Sequence, residues 1–373
     1  MKIVVTGANG LIGWHAHARL HAANCQAVFK GKPAPFDIAA LDRDGFNHDE
    51  SLREALHGAD AVLHFAGVNR APDDVLEAAN PEIATRLVRT CTEVGSAPHI
   101  VYASSIHATA DTVYGRSKRI AGEILERGPG IYAGLVLPHV FGEGARPHYN
   151  NVTATLIDHL VKGDTPSINP QGEVRLLHAG DAAQDAIDAA LNGIAGTVVP
   201  TPRSIGVPEL FEMLCRFHAL YRNNSLPDLS DPFDLALFNT YRTATYPDGW
   251  PRPLVTHWDA RGSLVEAVKG GSGGQAFFST TRPGVTRGDH FHLHKFERFL
   301  VLSGDAIIRI RRVLSDEVWE YRVSGDRPAP VDIPTLHTHS IENVGDEDLL
   351  TLFWTNEVFD PENPDTYADK VLP

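Results

Sequence analysis

The sequence is poor in cysteine and has no long apolar segment. Cys25, Cys91 and Cys215 are the only cysteines among 373 residues, and none belongs to a Cys-x-x-Cys pair. An odd number of widely spaced cysteines argues against a disulfide framework and favours a reducing compartment, so we expect a cytoplasmic protein. No run reaches the roughly 18 apolar residues of a membrane span. The first apolar run, Ile3–Val5, is too short for the hydrophobic part of a signal peptide.

Basic residues are also scarce. Lysine and arginine number 33 against 47 aspartates and glutamates, which gives a formal net charge of −14 at pH 7. Such a chain is a poor candidate for binding nucleic acid or an anionic membrane, although a local basic pocket for a phosphorylated ligand stays open. With 43% hydrophobic and 21% charged residues, the composition is that of a globular protein with substantial cores. The length suggests two domains.

Two patterns of apolar residues divide the chain. In the first part, short apolar runs alternate with longer amphipathic segments, which predicts an α/β domain with a Rossmann-like, doubly wound parallel sheet. After a stretch rich in Asn, Asp and Pro at residues 223–253, short strands separated by Gly, Pro and Asp predict an all-β sandwich or barrel. We therefore expect an α/β domain at residues 1–245 and a β domain at residues 246–373.

The expected elements follow from these runs. The predicted strands of the first domain are Lys2–Val5, Gln26–Phe29, Ala61–Phe65, Ile100–Ala103 and Gly134–Leu137. The predicted helices are Leu11–Ala23, Ser51–Leu56, Glu77–Glu93, Tyr114–Arg127 and Pro208–Leu220. The predicted strands of the β domain are Gln275–Thr280, Glu297–Ser303, Ala306–Arg312, Glu317–Val323 and Leu349–Thr355.

A glycine-rich turn follows the first predicted strand and opens the first helix. Gly7, Gly10 and Gly13 have the spacing G-x-x-G-x-x-G. Glycines so placed allow a tight turn, a close approach to a pyrophosphate and close packing of the helix on the sheet. The helix N-terminus, with Leu11 and Ile12, would then face the phosphates. The alternative is a purely structural turn, but the strand before the glycines and the helix after them favour a dinucleotide site.

The residues after the predicted second strand bear on the choice of dinucleotide. NAD sites usually place an acid there to hold the ribose hydroxyls, whereas this sequence has Lys30 and Lys32. Because a pair of cations suits a 2′-phosphate, we predict NADP(H), with Lys30 as a contact; incidental lysines in a solvated loop are the alternative. The small residues Ala66 and Gly67 end the third strand and are expected beneath the adenosine half of the cofactor.

A serine pair at the end of the strand predicted at Ile100–Ala103 precedes a Tyr-x-x-x-Lys sequence. Ser105 comes nine residues before Tyr114, and Lys118 follows one helical turn later on the same helix face. A ketone that accepts hydride develops alkoxide charge and needs a proton donor. A phenol of pKa near about 10 gives up its proton reluctantly at neutral pH, and a nearby ammonium lowers that pKa. With the serine hydroxyl orienting the carbonyl, the set predicts a ketone reductase.

These motifs resemble the extended short-chain dehydrogenases/reductases over residues 1 to about 240. The resemblance implies that Ser105, Tyr114 and Lys118 are catalytic, and that Lys118 also contacts the cofactor. One loop departs from the family pattern, because Leu137 precedes Pro138 where Arg is frequent and His139 replaces Asn. The expected substrate contacts of that loop are therefore not carried over. The resemblance rests on Thr6–Gly13, His64–Gly67, Asn80, Ser104, Ser105, Tyr114, Lys118 and Pro138–Gly142.

Four residues of the C-terminal region suit a divalent metal. Alternation along a strand puts His290 and His292 on one face, Glu297 starts the next predicted strand, and His339 follows further on. Three imidazoles and a carboxylate can bind zinc, iron, manganese or nickel. A five- or six-coordinate ion would leave a position open for catalysis. The alternative is a barrel whose histidines merely pack or face water. His294 and His337 alternate with the candidate ligands and could each be an extra ligand, a general base or a surface residue; we favour the surface interpretation.

The spacing of these residues resembles both sequence blocks of the cupin superfamily, except that Leu336 stands where the pattern has glycine. The resemblance implies a jelly-roll barrel whose metal ligands are His290, His292, Glu297 and His339. The stretch at 259–262 resembles an Asp-x-Arg-Gly sequence of cupin-type sugar epimerases, in which Arg261 would grip a pyrophosphate. A turn with a salt-bridged arginine is the alternative.

With both modules in this order, the whole chain resembles the CapF family of bifunctional capsular polysaccharide synthesis enzymes. The resemblance implies a homodimer that acts on a nucleotide sugar. A zinc-dependent module would epimerise C3 of a UDP-2-acetamido-2,6-dideoxy-4-hexulose, and an NADPH-dependent module would reduce C4, on the route to UDP-N-acetyl-L-fucosamine. Two alternatives stay open: a reductase whose cupin is only structural or dimerising, and a non-catalytic protein that senses NADP.

Overall fold

The structure is a computed structural model and describes residues 1–260 and 262–372. Arg261, the expected pyrophosphate contact, thus lies outside the described residues. The chain divides into two compact units, one made of Met1–Thr155 and Ile168–Val207, the other of Leu156–Ser167 and Pro208–Pro373. Among the described residues, every helix is too short or too polar to cross a lipid bilayer.

The first unit is built on a parallel sheet. Its strands are β1 (Lys2–Thr6), β2 (Asp37–Leu41), β3 (Ala61–His64), β4 (His99–Ser105), β5 (Tyr132–Leu137), β6 (His139–Phe141), β7 (Glu173–His178), β8 (Gly196–Val198) and β9 (Arg203–Gly206). Its helices are α1 (Leu11–Phe29), α2 (Arg43–Asn47), α3 (Asp49–Leu56), α4 (Asp73–Glu93), α5 (Val113–Glu126) and α7 (Ala179–Leu191), and α6 (Val152–Lys162) crosses the division between the units. The main sheet has the order β2-β1-β3-β4-β5-β8, and a small sheet has the order β6-β7-β9.

Both faces of the main sheet are covered by helices. Ile3 and Val5 of β1 belong to a core cluster with residues of α1 and α7, whereas Val4 points into a second cluster with residues of α3, α4 and α5. Successive side chains of a strand point to opposite faces, so a strand between two helical layers is apolar throughout. The predicted Rossmann-like, doubly wound α/β architecture is confirmed.

The prediction of a second strand at Gln26–Phe29 is wrong. α1 continues to Phe29, and the second strand is β2 at Asp37–Leu41. Val28 and Phe29 are 61% and 79% exposed, so this apolar run ends a helix in solvent instead of entering the sheet. Lys30 therefore follows the C-terminal end of α1, about 28 Å along a 19-residue helix from the glycine turn.

The second unit is dominated by antiparallel strands. Its helices are α8 (Val207–Arg222), whose first residue belongs to the first unit, and α9 (Pro232–Thr245). Its strands are β10 (Ser225–Leu226), β11 (Thr256–Asp259), β12 (Gly262–Val265), β13 (Lys269–Gly270), β14 (Gln275–Thr281), β15 (Thr286–Phe291), β16 (Glu297–Ser303), β17 (Asp305–Arg312), β18 (Val318–Ser324), β19 (Val331–Ile333), β20 (His337–Asn343), β21 (Leu349–Thr355) and β22 (Tyr367–Ala368). Two sheets have the orders β14-β21-β16-β19 and β18-β17-β20-β15-β22. The rings of Phe299 on β16 and His339 on β20 are 5.5 Å apart, so these sheets face each other, as the sequence predicts.

The division between the units lies earlier than the boundary expected after residue 245, because α8 and α9 pack on the antiparallel strands. Tyr221 of α8 donates a hydrogen bond of 2.6 Å to Asp332, and Arg242 of α9 donates one of 2.7 Å to the carbonyl oxygen of Ile333. The ring of Phe238 lies 6.0 Å from that of Phe296. The two helices thus complete the core of the second unit.

Candidate active site and metal centre

The glycine turn between β1 and α1 leaves no room for side chains. Gly7 has φ +68°, and a Cβ on it would lie 2.8 Å from the amide nitrogen of Ala66; a Cβ on Gly13 would lie 2.1 Å from the carbonyl oxygen of Gly7. No described side chain caps α1, so its first amides are left for a ligand. Such a helix terminus attracts phosphate. The structure brings together Gly7, Gly10, Leu11, Ile12, Gly13 and Ala66.

Gly67 lies in a turn that Asn80 holds in place. The side-chain nitrogen of Asn80 donates to the carbonyl oxygen of Val68 at 2.9 Å and to Ser117 at 3.0 Å, and its oxygen accepts from the amide of Val68 at 2.9 Å. A Cβ on Gly67 would lie 3.0 Å from Asn80 and 3.9 Å from the Lys118 nitrogen. The turn expected beneath the adenosine therefore also borders the predicted catalytic lysine.

Asp42, directly after β2, is a further candidate site residue, which the predicted second strand at Gln26–Phe29 left unrecognised. The amide of Ala8 in the glycine turn donates to the carbonyl oxygen of Leu41 at 3.1 Å, so β2 ends beside that turn. Asp42 accepts a hydrogen bond of 3.4 Å from Asn9, and the next residue, Arg43, is exposed. This is where dinucleotide sites hold the adenosine ribose.

Lys30 is not part of this arrangement. It caps the far end of α1, and the chain then enters β2 where the amide of Asp37 donates to the carbonyl oxygen of Met1. Lys30 thus lies at the edge where the strands begin, whereas the glycine turn lies at the edge where they end. Its assignment as a 2′-phosphate contact is wrong.

Ser105, Tyr114 and Lys118 converge at the carboxyl end of β4. Ser105 is the last residue of that strand, and its side chain forms a hydrogen bond with the hydroxyl of Tyr114 on α5. Lys118 lies one turn further along α5, and its nitrogen donates to the carbonyl oxygen of Ala103 at 2.5 Å. The structure thus brings the three predicted catalytic residues together.

The position of α5 is set by the short 3-10 helix Ile106–Thr109, by Thr112 directly before α5 and by Gly115 in its first turn. Thr112 caps α5 by accepting a hydrogen bond of 3.0 Å from the amide of Gly115. A Cβ on Gly115 would lie 2.4 Å from the carbonyl oxygens of His107 and Ala110, so only glycine lets α5 approach this closely. The close approach brings Tyr114 to the end of β4.

Burial controls the protonation of two of the predicted catalytic residues. It raises the pKa of Tyr114, and the hydrogen bond with Ser105 offsets this only in part. Burial also lowers the pKa of Lys118 to about 7. The expectation that Lys118 lowers the pKa of Tyr114 is therefore wrong in its net direction, because desolvation of the phenolate outweighs the other effects. Tyr114 keeps its proton at neutral pH, as a proton donor must.

His64, at the end of β3, gives the first unit a pH-dependent stability. Its Nδ1 lies 2.7 Å from the hydroxyl of Thr6, and burial, then the charge of Lys118, lower its pKa to about 3. Below pH 6.5 the unfolded chain binds a proton at His64 that the native chain does not bind. The contribution of His64 to the free energy of unfolding is therefore fully present above pH 6.5 and is lost as the pH decreases toward 3. We expect a decrease in pH from 7.5 to 5 to lower the free energy of unfolding by about 2 kcal/mol through the protonation of His64 in the unfolded chain. In urea unfolding, His64→Asn should lose correspondingly less stability than the wild type; equal losses would contradict the assignment.

Four side chains of the second unit converge between its two sheets. His290 lies on β15 and His292 just after it, Glu297 begins β16, and His339 lies on β20. The Glu297 Oε2 atom lies 3.2 Å from Nε2 of both His292 and His339, and 3.8 Å from Nε2 of His290. One ligand atom from each residue falls within 4.8 Å of all the others. The four predicted ligands are therefore brought together.

Hydrogen bonds outside the cluster orient the two buried imidazoles toward its centre. His292 Nδ1 donates to the carbonyl oxygen of Asp365 at 2.5 Å, and His339 Nδ1 donates to that of His337 at 3.1 Å. The Nε2 atom of each ring therefore faces the cluster, and that of His292 has no hydrogen-bond partner among the described residues. This second layer of hydrogen bonds is the one that metal-binding histidines usually have.

The charges of the cluster also suit a cation. Burial by itself raises the pKa of Glu297, but the neighbouring histidines, His292 first, hold it well below its usual value, so the carboxylate stays ionised. Burial lowers the pKa of His339 to about 4, which leaves a neutral imidazole at pH 7. An ionised carboxylate and neutral imidazoles are the forms that coordinate divalent metals. The residues therefore fit a divalent metal ion.

Neighbouring residues show how the cluster is reached. The side chain of His290 is 23% exposed, whereas the other three ligands are at most 9% exposed, so the cluster opens on the His290 side. His294 is exposed as predicted, but the surface assignment of His337 is wrong, because this residue is 3% exposed and its ring lies 5.0 Å from that of Tyr246. Leu336 has φ +59°, the conformation for which the cupin pattern has glycine.

Comparison with known proteins places the chain in a family. Residues 3–200 match the NAD dependent epimerase/dehydratase family, and residues 257–367 match the polysaccharide biosynthesis C-terminal domain. The chain is 33% identical to the UDP-2-acetamido-2,6-beta-L-arabino-hexul-4-ose reductase of Pseudomonas aeruginosa. The alignment of 382 residues covers 100% of this chain and 99% of that relative. It is also 33% identical to the capsular polysaccharide assembling protein CapF from Staphylococcus aureus, whose crystal structure matches with a TM-score of 0.58 and complete coverage of both chains. The chain is therefore an enzyme of the NAD dependent epimerase/dehydratase family and, along its full length, a member of the CapF family.

Proposed function

We propose that the chain is a bifunctional nucleotide-sugar enzyme. Its second unit epimerises C3 of a UDP-2-acetamido-2,6-dideoxy-4-hexulose, and its first unit reduces the C4 ketone, on the route to UDP-N-acetyl-L-fucosamine and capsule. The relative from Pseudomonas aeruginosa is named as a reductase of such a UDP-hexulose. The observation that carries the proposal is the convergence of Ser105, Tyr114 and Lys118 at the end of the parallel sheet where the glycine turn lies.

The residues of the first unit can supply every proton that reduction needs. A bound reduced nicotinamide supplies the hydride for C4. A carbonyl oxygen placed against the hydroxyls of Ser105 and Tyr114 is oriented by the former and receives its proton from the latter. Lys118, whose pKa burial brings to about 7, can release and regain a proton at neutral pH and thus return one to Tyr114.

The second unit is suited to the other step. A 4-keto group acidifies the hydrogen on C3, so inversion at C3 proceeds through removal and return of that proton. A bound divalent metal, for which we propose zinc, supplies Lewis-acid stabilisation of the negative charge that develops. His290, His292, Glu297 and His339 would hold the ion, and the partial exposure of His290 gives access from that side. Reduction at C4 then draws the epimerisation forward.

Two measurements on the full chain test this function. With the UDP-keto-deoxysugar in D2O and no nicotinamide, we expect deuterium to enter at C3. With reduced nicotinamide added, we expect its oxidation in proportion to sugar consumed. Reduction without any deuterium uptake would limit the protein to a reductase with a structural second unit. Tight nicotinamide binding without turnover of the sugar would leave the non-catalytic, NADP-sensing alternative.

The choice of dinucleotide is proposed to depend on Asp42 and Arg43. The guanidinium of Arg43 suits the 2′-phosphate of the expected NADP(H), whereas the carboxylate of Asp42 suits the free ribose hydroxyls of NAD(H). We expect Arg43→Ala to lower kcat/KM with NADPH about tenfold and to leave NADH unaffected, and Asp42→Ala to do the reverse, since a hydrogen bond to a charged group contributes ~1.5 kcal/mol or more. Lys30→Ala is the control and should change neither. A loss of NADPH preference in the Lys30 variant would refute this assignment.

We also propose a homodimer formed through the second unit. Large apolar side chains on β11, β12 and β14 are exposed in the single chain: Trp258 is 75% exposed, Leu264 61% and Phe278 71%. Exposed apolar groups of this size are typical of surfaces that associate. The cytoplasm is the proposed location, and Cys25, Cys91 and Cys215 are free thiols, as a reducing compartment allows.

A further inference from the structure

A second cluster of titratable side chains is buried in the first unit. His15 lies on α1, Glu143 follows β6, and His178 is the last residue of β7; they are 0%, 2% and 7% exposed. Glu143 Oε2 lies 2.8 Å from His178 Nε2, and His15 Nε2 lies 3.0 Å from the carbonyl oxygen of Glu143. Both the side chain and the backbone of Glu143 are therefore held, by residues from two different elements.

The contacts of this cluster are those of a hydrogen-bonded clamp, not those of a metal site. His15 Nε2 is 3.0 Å from a carbonyl oxygen and must donate its hydrogen there, so that nitrogen has no lone pair for an ion. Its Nδ1 has no hydrogen-bond partner among the described residues, whereas metal-binding histidines usually donate from that second nitrogen. The distance of 2.8 Å between Glu143 and His178 is that of a charge-assisted hydrogen bond.

The clamp depends on the charge of Glu143. Burial by itself raises the pKa of this carboxyl, but His178 and then His15 hold it far below its usual value, so it stays ionised. Burial lowers the pKa of His15 to about 3, which makes it a neutral donor. The charge of Arg19 also lowers the pKa of His15, and the Arg19 Nε donates to the carbonyl oxygen of Gly180 at 2.9 Å. A buried carboxylate that loses such partners is strongly destabilised.

Glu143 belongs to the segment that follows β5, and this segment borders the catalytic residues. The last residue of β5, Leu137, is paired with Ser105, and residues 138–151 follow directly. Asn150 donates to the carbonyl oxygen of Asn69 at 3.2 Å, and Arg70 donates to that of His148 at 2.9 Å. The segment is therefore tied at its far end to the chain just after the Gly67 turn, and at Glu143 to α1 and β7.

We propose that Glu143 is a positioning residue for ketone reduction. Through His178 and His15 it fixes residues 138–151 against α1, the helix that starts at the glycine turn, so that the segment forms a rigid wall of the sugar-nucleotide site. This inference rests on the proposed reductase function. It predicts an effect on substrate binding that is separable from the proton donation of Tyr114 and from simple loss of stability.

Steady-state kinetics test the proposal. We expect Glu143→Gln to raise KM for the UDP-keto sugar about tenfold while kcat stays within a factor of about three and the Kd of the nicotinamide is unchanged, since a charge-assisted bond of ~1.5 kcal/mol is lost. His15→Gln keeps a donor for the carbonyl oxygen of Glu143 and should stay close to wild type, whereas His15→Leu should raise KM. If Glu143→Gln fails to fold, the two His15 variants still decide the question. An unchanged KM in the folded variants refutes the proposal.

Hydrogen exchange on the ligand-free protein separates this proposal from the proposed function. Exchange within residues 138–151 should be faster in Glu143→Gln than in the wild type. Asp332→Asn is the control, because it removes a buried charge from the pair with Arg298 in the other unit and should leave that segment unchanged. If the wild type reduces no keto sugar but residues 138–151 exchange faster in Glu143→Gln, the proposed reductase function is wrong and the structural role of Glu143 is supported. Identical exchange in Glu143→Gln and wild type overturns the clamp.

Discussion

Tyr114→Phe is expected to lower kcat for ketone reduction at least about 100-fold, because a positioned acid contributes on the order of 10² to 10⁴ in rate. The Tyr114 hydroxyl, which forms a hydrogen bond with Ser105, is the proposed proton donor, and burial raises its pKa, so it is protonated at the pH of the assay. The phenylalanine ring fills the same space, so folding should be preserved. Oxidation of reduced nicotinamide in the presence of the keto sugar measures the effect.

A matched tyrosine serves as the control for this experiment. Tyr132 lies on β5 of the same sheet and is half-buried, and Tyr132→Phe should retain wild-type kcat. Nicotinamide binding, followed by fluorescence titration, should be equal in the wild type and both variants. Reduction at the wild-type rate by Tyr114→Phe would show that the proton donor has been assigned wrongly, whatever the second unit does.

Removal of one proposed metal ligand is expected to abolish deuterium uptake at C3. His290→Ala deletes an imidazole whose Nε2 lies 3.8 Å from Glu297, and the partial exposure of His290 means that the core loses little. We expect the bound metal to fall from about one ion per chain to a small fraction, and the exchange rate to fall by more than about 100-fold, because the Lewis acid is lost. Elemental analysis and mass spectrometry of the sugar in D2O measure the two effects.

His294→Ala is the control for the metal experiment, because His294 is exposed and lies two residues beyond His292. It should keep its metal and its exchange activity. Treatment of the wild type with a chelator should reproduce the His290→Ala result, and added zinc should reverse it. Full exchange in a metal-free protein would remove the ion from the proposed mechanism and leave the second unit without its assigned chemistry.

The parts of the site that sequence predicts well are set by local geometry. Tyr114 and Lys118 share a helix face because of the helical repeat, and His290 on β15 and His292 directly after it reach one cluster, as alternation along an extended chain predicts. Glu297 was predicted to begin a strand, and it does. In each case the pattern lies within one or two elements, so neither the order of the strands nor their pairing was needed to identify the residues.

The incorrect predictions concern features that depend on tertiary packing. The apolar residues before Lys30 have the pattern of a buried strand, but they form the last turn of α1. The second strand of the sheet is formed by Asp37–Leu41 instead. Because the second strand was predicted too early, Asp42 and Arg43 were not recognised as the residues that follow it. The direction of the Tyr114 pKa was missed for a related reason, since the depth of burial is not visible in a spacing of four residues.

The Glu143 cluster shows a different limit. Its members are residues 15, 143 and 178, which belong to a helix, a loop and the end of a strand, and no short motif joins them. Only the fold brings them within hydrogen-bonding distance. A sequence offers no signal for such a group, because each member alone is indistinguishable from a polar residue at the surface.

The way in which the chain is divided between its two units limits how the protein can be recombined with related enzymes. Leu156–Ser167 belongs to the second unit although residues of the first unit precede and follow it, and α8 and α9 complete the core of the second unit. Neither unit is thus one uninterrupted stretch of sequence. If the C-terminal part were exchanged for that of a related enzyme at a single junction, the twelve residues Leu156–Ser167 would be separated from the rest of the second unit, to which they belong. Chimeras of this protein therefore require two junctions, around Leu156–Ser167, in addition to the one at Val207.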